Sequence, residues 1–128
     1  MIEEDVEEQV PAPGPWRAVD LDGTLAHYDE WRGLDHVGEP VPRMLERVRD
    51  WLIAGHDVRI LTARVAVNAH QSPAQAYAAR RAIEAWCEQH LGRRLPVTAT
   101  KDMGMVELWD DRAVQVIPNT GARVDGAP

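Results

Sequence analysis

The chain has 128 residues, of which 45% are hydrophobic and 27% charged, and its formal net charge is −7. This length and composition predict one globular domain, since a typical domain has roughly 100–150 residues. A single cysteine excludes an internal disulfide, and no apolar run approaches the roughly 20 residues of a membrane-spanning helix. The N-terminus is acidic, unlike a secretory or transit signal, so we expect a cytoplasmic protein.

The negative charge is concentrated at the N-terminus. Residues 1–15 contain five acidic residues, no basic residue and a Pro-Ala-Pro-Gly-Pro stretch, which predicts a disordered leader. The remaining 16 acidic and 14 basic residues leave the rest of the chain, 16–128, at −2. This part therefore lacks the strongly basic character typical of proteins that bind long nucleic acids.

The chain after the leader alternates apolar strand patterns with helical ones. Residues 16–21 are a short apolar run that predicts a buried strand, and 24–39 predict a loop or small hairpin, called here the flap. A helix is predicted from Pro42 to about Gly55, because proline suits the first turn and glycine a helix end. A second strand is predicted over 58–61.

The second half of the chain carries the clearest helix signal. Ser72 is predicted to be an N-cap, Gln75 completes a capping box with it, and Gly92 ends the helix. Three further strands are predicted over 97–99, 106–109 and 114–117. Because strands alternate with helices of about 12–18 residues, we predict an α/β domain with a mainly parallel five-stranded sheet, covered on both faces in three layers.

Polar residues follow these strands at their carboxyl ends, where open parallel sheets bind ligands. They are Asp20, Asp22, Gly23 and Thr24 after the first strand, Thr62 and Arg64 after the second, Lys101 after the third, and Asp110 and Asp111 after the fourth. Carboxylates crowded on one edge repel each other and favour a cation, and oxygen ligands suit Mg²⁺. Lys101, the only lysine, and Thr62 offer a positive charge and a hydroxyl donor to a phosphoryl group. The pattern indicates phosphoryl transfer.

Four segments, in order, resemble the motifs of the haloacid dehalogenase (HAD) superfamily of phosphohydrolases. They are Val19-Asp20-Leu21-Asp22-Gly23-Thr24-Leu25, Ile60-Leu61-Thr62-Ala63-Arg64, Lys101, and Asp110-Asp111. The stretch 101–121 is also similar to small, largely uncharacterised HAD-like proteins of bacteriophages. The resemblance covers residues 16–121 and implies a Rossmann-like HAD core.

The resemblance implies a role for each matching residue. Asp20 would be the nucleophile that forms an aspartyl-phosphate, and Asp22 would be first the general acid and then the general base. Thr62 and Lys101 would hold the phosphoryl oxygens. Mg²⁺ would be bound by the Asp20 carboxylate, the Asp22 main-chain carbonyl oxygen, Asp110, and Asp111 directly or through water.

Residues beside these motifs are candidates for substrate binding. Gly23 and Thr24 follow the first motif, and Arg64 ends the second. For Arg64, an ion pair with the carboxylates is an equal alternative. In the flap, Tyr28 and Trp31 either stack on a base or aromatic leaving group, or pack the flap onto the domain.

The spacing between motifs leaves no room for a cap domain. Asp20 and Thr62 are 42 residues apart, Thr62 and Lys101 are 39 apart, and the predicted elements take up much of both intervals. We therefore expect an open site with only the flap, 24–39, beside it. Either a bulky substrate or a second subunit of a homo-oligomer would close such a site.

These observations favour an enzyme: a Mg²⁺-dependent phosphomonoester hydrolase of HAD type. A nucleotide or nucleic-acid terminal phosphate is the favoured substrate by analogy with capless HAD polynucleotide phosphatases, while a phosphoprotein stays open. The alternatives are a catalytically weak module that binds metal and phosphate in assembly or regulation, and phosphoryl transfer to an acceptor other than water. Phospho-receiver domains use a similar set of residues, but there the acidic pair precedes the lysine. Here Lys101 precedes Asp110 and Asp111, and this order argues against a receiver domain.

Overall fold

The structure, a computed structural model, describes residues 14–128. Most of the predicted leader, 1–13, lies outside the described residues. The regular elements are β1 (Trp16–Val19), α1 (Pro42–Ile53), β2 (Val58–Leu61), α2 (Pro73–Leu91), β3 (Val97–Thr98) and β4 (Met105–Trp109), with a short 3₁₀ helix over Ala63–Val65. The predicted α/β class is confirmed.

The strands form one parallel sheet in the order β3-β2-β1-β4. β1 is central, and its last residue, Val19, pairs with Ile60 of β2 on one side and with Trp109 of β4 on the other. Because the strands run in the same direction, their carboxyl ends lie along one edge of the sheet.

The predicted fifth strand over 114–117 is not found in this sheet. Among residues 14–128, the segment makes an isolated antiparallel bridge between Val116 and Arg123 and no regular strand pairing. Val114, Val116 and Ile117 are all exposed. Strand propensity depends on packing against neighbours, so an apolar alternating run that nothing buries does not have to extend a sheet.

Both helices pack against the same face of the sheet. Val19, Ile60 and Val97 are neighbours across β1, β2 and β3. One apolar core contains these three valine and isoleucine side chains together with Met44, Leu45 and Val48 of α1 and Ala79, Ile83, Trp86 and Cys87 of α2. The predicted helices on both faces are therefore not found in the part of the chain that the structure describes, where α1 and α2 supply one layer.

The ends of α2 follow the sequence signals. Ser72 Oγ accepts the N–H of Gln75 at 3.2 Å, and the Gln75 side-chain oxygen accepts the N–H of Ser72 at 2.8 Å, which completes the predicted capping box. The helix ends before Gly92, whose φ of 77° is left-handed. Neither α1 nor α2, the helices of the described chain, has the length and apolar character needed to cross a membrane.

Candidate functional site

A cavity of about 670 Å³ contains most of the predicted site residues. Those that line it are Asp20, Asp22, Thr62, Arg64, Lys101 and Asp110. They follow β1, β2, β3 and β4, so each strand of the sheet contributes to one site. Residues far apart in sequence meet here because the parallel strands all end on this side.

The backbone fixes Asp20 at the end of β1. Its N–H donates to the carbonyl oxygen of Trp109 at 2.9 Å, which extends the pairing with β4 by one residue. The chain then turns sharply, and the carbonyl oxygen of Leu21 accepts the N–H groups of Leu25 at 3.0 Å and Ala26 at 2.9 Å. The backbone that carries the Asp20 carboxylate is thus held in place between the central strand and a tight turn.

Gly23 brings the fourth motif close to the first. Its φ is +86°, and a Cβ added there would lie 2.5 Å from Asp111 Oδ2, so a side chain would collide with that carboxylate. Thr24 Oγ lies 3.4 Å from Asp20 Oδ2 and 3.3 Å from Asp111 Oδ1. Gly23 and Thr24, predicted to bind substrate, therefore contact the carboxylates in this structure.

Three carboxylates form a cluster that fits a divalent cation. Asp20, Asp110 and Asp111 each offer an oxygen, and these oxygens all lie within 4.8 Å of one another. Within residues 14–128, no lysine or arginine forms an ion pair with any of the three. Burial, reinforced by the neighbouring Asp111 and Asp110, raises the pKa of Asp20 to about 7. A cation would relieve this repulsion, and an all-oxygen donor set suits a hard ion such as Mg²⁺.

Asp22 faces the same cavity and is held by Arg64. The guanidinium Nε and Nη2 donate to Asp22 Oδ2 and Oδ1, both at 2.8 Å, in a bidentate pair. Arg64 Nη1 also donates to the carbonyl oxygen of His36 at 2.7 Å, and the guanidinium carbon lies 4.9 Å from the Trp31 ring centroid. Arg64 is only 7% exposed. Of the two alternatives for this arginine, the ion pair is present, and it connects the first motif to the flap.

Thr62 and Lys101 offer donors to the cavity. Thr62 is 4% exposed, and its Oγ accepts the N–H of Arg64 at 3.2 Å. That contact uses the hydroxyl as an acceptor, so its proton is available to a ligand. The Lys101 side chain is exposed and makes no hydrogen bond or ion pair with the described residues. Both groups are therefore free to bind an anion.

The flap is anchored at its base. The N–H of His27 donates to the carbonyl oxygen of Glu39 at 2.8 Å, and Trp86 Nε1 of α2 donates to the carbonyl oxygen of Gly38 at 2.9 Å. A Cβ on Gly38 would lie 2.0 Å from the carbonyl oxygen of His27, so the backbone on the two sides of the flap is closer than a side chain at Gly38 would permit. The tip of the flap is thus carried on a fixed base.

Two further residues line the cavity: Gln71, for which the sequence predicted no role, and Arg112, for which contact with substrate and pairing with the carboxylates were equal alternatives. Gln71 Nε2 donates to the carbonyl oxygens of Arg64 and Ala66, both at 2.6 Å, and so braces the turn that carries Arg64. No motif marks it, although it directly precedes the recognisable capping box. Arg112 also lines the cavity, and its N–H donates to Asp110 Oδ1 at 2.6 Å. Its guanidinium forms no ion pair with the described residues.

Comparison with known proteins bears on the fold alone. No family model matches the chain, and no curated protein matches it. Among solved structures, a conserved protein from Bacteroides thetaiotaomicron is similar, with a TM-score of 0.52 over 88% of this chain and 79% of that chain. The sequence identity is 19%. This similarity supports the α/β architecture described above.

Proposed function

We propose that this protein is a Mg²⁺-dependent phosphomonoester hydrolase with a HAD-type, Rossmann-like core. One observation carries the proposal: side chains from four sequence motifs line or border one cavity at the strand ends. They include a candidate nucleophile, two side chains that can donate hydrogen bonds to a phosphate, and a cluster of carboxylates. These are the groups that phosphoryl transfer requires. The cytoplasmic location and the lid-forming second subunit stay predictions.

In the first step, an oxygen of the Asp20 carboxylate attacks phosphorus. A new bond forms between this oxygen and phosphorus, the ester bond to the leaving alcohol breaks, and Asp22 gives the alcohol a proton. The Thr62 hydroxyl and the Lys101 ammonium hold the non-bridging oxygens and stabilise their charge. A cation bound by Asp20, Asp110, Asp111 and the Asp22 carbonyl oxygen would supply further neutralisation of this charge.

In the second step, water attacks the phosphorus of the aspartyl-phosphate. The bond from phosphorus to the Asp20 oxygen breaks, and Asp22 takes a proton from the water. Inorganic phosphate leaves, and Asp20 returns to its carboxylate form. Asp22 then carries the proton with which the next leaving alcohol is protonated.

The pairing of Asp22 with Arg64 adds a requirement to this scheme. Both Asp22 oxygens accept hydrogen bonds from the guanidinium, an arrangement that suits the base of the second step. In the first step one oxygen has to carry a proton and reach the leaving alcohol. Arg64 therefore has to release at least one of its two bonds when substrate binds.

The same pairing favours a second candidate function. If Arg64 never releases Asp22, the site would still bind metal and phosphate but would turn over poorly, as a binding module in assembly or regulation. Transfer to an acceptor other than water would use the same residues as hydrolysis. Turnover, rather than binding, separates these cases.

The test is phosphate release with and without Mg²⁺, from an aryl phosphate, nucleoside monophosphates and sugar phosphates. We expect Mg²⁺-dependent release that Asp20→Asn abolishes while circular dichroism shows an unchanged fold. Asp125→Asn makes the same chemical change at an exposed carboxylate that pairs with Arg123 and does not line the cavity. This control should keep full activity. Folded protein that binds Mg²⁺ and releases no phosphate would contradict the proposal.

A further inference from the structure

We propose that Tyr28 and Trp31, called here the aromatic wall, bind the nucleobase of a nucleoside monophosphate. The phosphate of this ligand would lie against Thr62 and Lys101. The inference rests on the proposed function and names its substrate class. It is carried by the position, the exposure and the support of the two aromatic side chains.

The aromatic wall borders the same cavity as the groups that would bind phosphate. Tyr28 and Trp31 both line it, together with Asp20, Thr62 and Lys101. Tyr28 is 38% exposed and Trp31 is 55% exposed. Large aromatic side chains that stay exposed in a concave site are typical of a surface that a ligand covers.

Trp31 is supported from within the domain. Its ring lies on the guanidinium of Arg64, 4.9 Å from the ring centroid, and Arg64 is itself buried and bonded to Asp22 and to the His36 carbonyl oxygen. No other aromatic ring of residues 14–128 stacks on the indole. The ring is therefore held in place while more than half of the side chain is open to a planar partner.

The lining of the cavity combines two chemically different kinds of group. A hydroxyl and an ammonium suit a phosphate, and the aromatic rings suit a planar, apolar group. The cavity volume of about 670 Å³ falls within the range of roughly 300–1,000 Å³ of small-molecule sites. A nucleoside monophosphate carries both chemical groups on one small molecule.

Charge favours a mononucleotide over a nucleic-acid end. The chain has a net charge of −7, and the part after residue 15 is still at −2. A nucleic acid gains affinity when many basic side chains replace its counterions. A protein with this negative net charge offers no such gain. We therefore infer that the aromatic wall binds one nucleobase of a mononucleotide rather than a nucleic-acid strand.

The test compares two substrates that release the same type of alcohol. A nucleoside 5′-monophosphate and ribose 5-phosphate both lose phosphate from a primary 5′ oxygen, and they differ by the base. Base stacking predicts that kcat/KM favours the nucleotide by about 5- to 150-fold in the wild type. The double variant Tyr28→Leu/Trp31→Leu should bring the two substrates to within about 2-fold of each other, since both stacking surfaces are lost.

Two further variants separate stacking from a change in folding. Trp31→Phe keeps an aromatic face and should keep most of the nucleotide preference. Tyr77→Leu removes an aromatic side chain of α2 that is 61% exposed and does not line the cavity, so the preference should not change. Equal kcat/KM values in the wild type, or a preference that survives the Tyr28→Leu/Trp31→Leu double variant, would overturn the inference. So would a 5′-phosphorylated oligonucleotide that is preferred to the mononucleotide by tenfold or more.

A binding measurement distinguishes this inference from the proposed function. If no phosphate is released from these two substrates or from an aryl phosphate, the proposed function fails, and calorimetry of the wild type with each compound in Mg²⁺ decides the inference separately. Tighter binding of the nucleotide that disappears in the Tyr28→Leu/Trp31→Leu double variant would support the wall. Equal binding of the two compounds, or no binding of either, would overturn it.

Discussion

Gly23 organises the carboxylate cluster by having no side chain. Its positive φ allows the turn after Asp20, and its open Cα lets Asp111 approach to a distance that a Cβ would not permit. The close packing of the first and fourth motifs therefore depends on one residue that takes no part in any reaction.

We predict that Gly23→Ala weakens Mg²⁺ binding by about tenfold or more, because the new methyl group displaces Asp111 from Asp20. Gly55→Ala is a matched control: Gly55 has the same φ of +86°, and nothing lies within 4 Å of its added Cβ. Both variants should lose similar stability from backbone strain, while only Gly23→Ala loses affinity in a calorimetric Mg²⁺ titration. Equal Mg²⁺ affinities would mean that Asp111 does not bind the metal.

Asp20 predicts how stability depends on pH in the metal-free protein. Burial, together with Asp111 and Asp110, raises the pKa of Asp20 from 3.8 to about 7. The folded state thus holds this proton more tightly than the unfolded state, so the stabilisation is complete below about pH 4 and is lost as the pH rises through 7. Asp20→Asn has no proton to lose. We predict that its Tm is close to that of the wild type at pH 4 and higher at pH 8.

Thermal melts in a chelator at both pH values check this prediction. Mg²⁺ added at pH 8 should raise the Tm of the wild type more than that of Asp20→Asn, because the cation offsets a repulsion that the variant lacks. Parallel stability profiles for the two proteins would contradict the assignment of this pKa to Asp20.

Side-chain pairing was the part of the site that the sequence predicted least well. The parallel sheet brings Asp20, Thr62 and Lys101 together because each follows a strand, and the strand pattern is readable. The choice of Arg64 between Asp22 and substrate depends on the flap conformation. An arginine at a strand end can reach either partner, and local sequence contains nothing that selects one.

At the scale of elements, α2 was predicted almost to the residue because its ends are set locally. Its capping box and terminal glycine involve groups within a few residues of each other. The face of the sheet on which each helix packs could not be predicted from local sequence in this way. The crossovers from β1 to β2 and from β2 to β3 step in the same direction across the sheet, and right-handed connections then leave both helices on one face. Strand order decides this, and no local pattern encodes it.

We predict that Ser72→Ala lowers the free energy of unfolding by about 1 kcal/mol, since it removes the side-chain acceptor for the Gln75 N–H. Urea denaturation measures the change, with an unaltered slope if the unfolded state is unaffected. Gln89→Ala, at an exposed position of the same helix, should leave stability within about 0.5 kcal/mol of wild type. Equal effects of the two changes would show that the capping box does not stabilise α2.

At the scale of the whole molecule, the described chain is a four-stranded parallel sheet with helices on one face and an anchored flap beside the site. The similar structure from Bacteroides thetaiotaomicron supports this architecture. The proposed chemistry comes instead from the convergence of the strand ends. The flap brings its aromatic side chains to the cavity, and Arg64 connects the flap to Asp22. Substrate binding, flap position and the proton on Asp22 are thus expected to be coupled.

The central claim is that Asp20 carries the phosphoryl group during turnover, and rapid acid quench followed by mass spectrometry tests it directly. An aryl phosphate is the suitable substrate, because its leaving group needs little help from an acid. Asp22→Asn lacks the base of the second step, so it should accumulate one phosphoryl group on Asp20. Asp20→Asn should carry none. Phosphate release by a wild-type enzyme that is never phosphorylated, or a phosphoryl group found on another residue, would contradict the account.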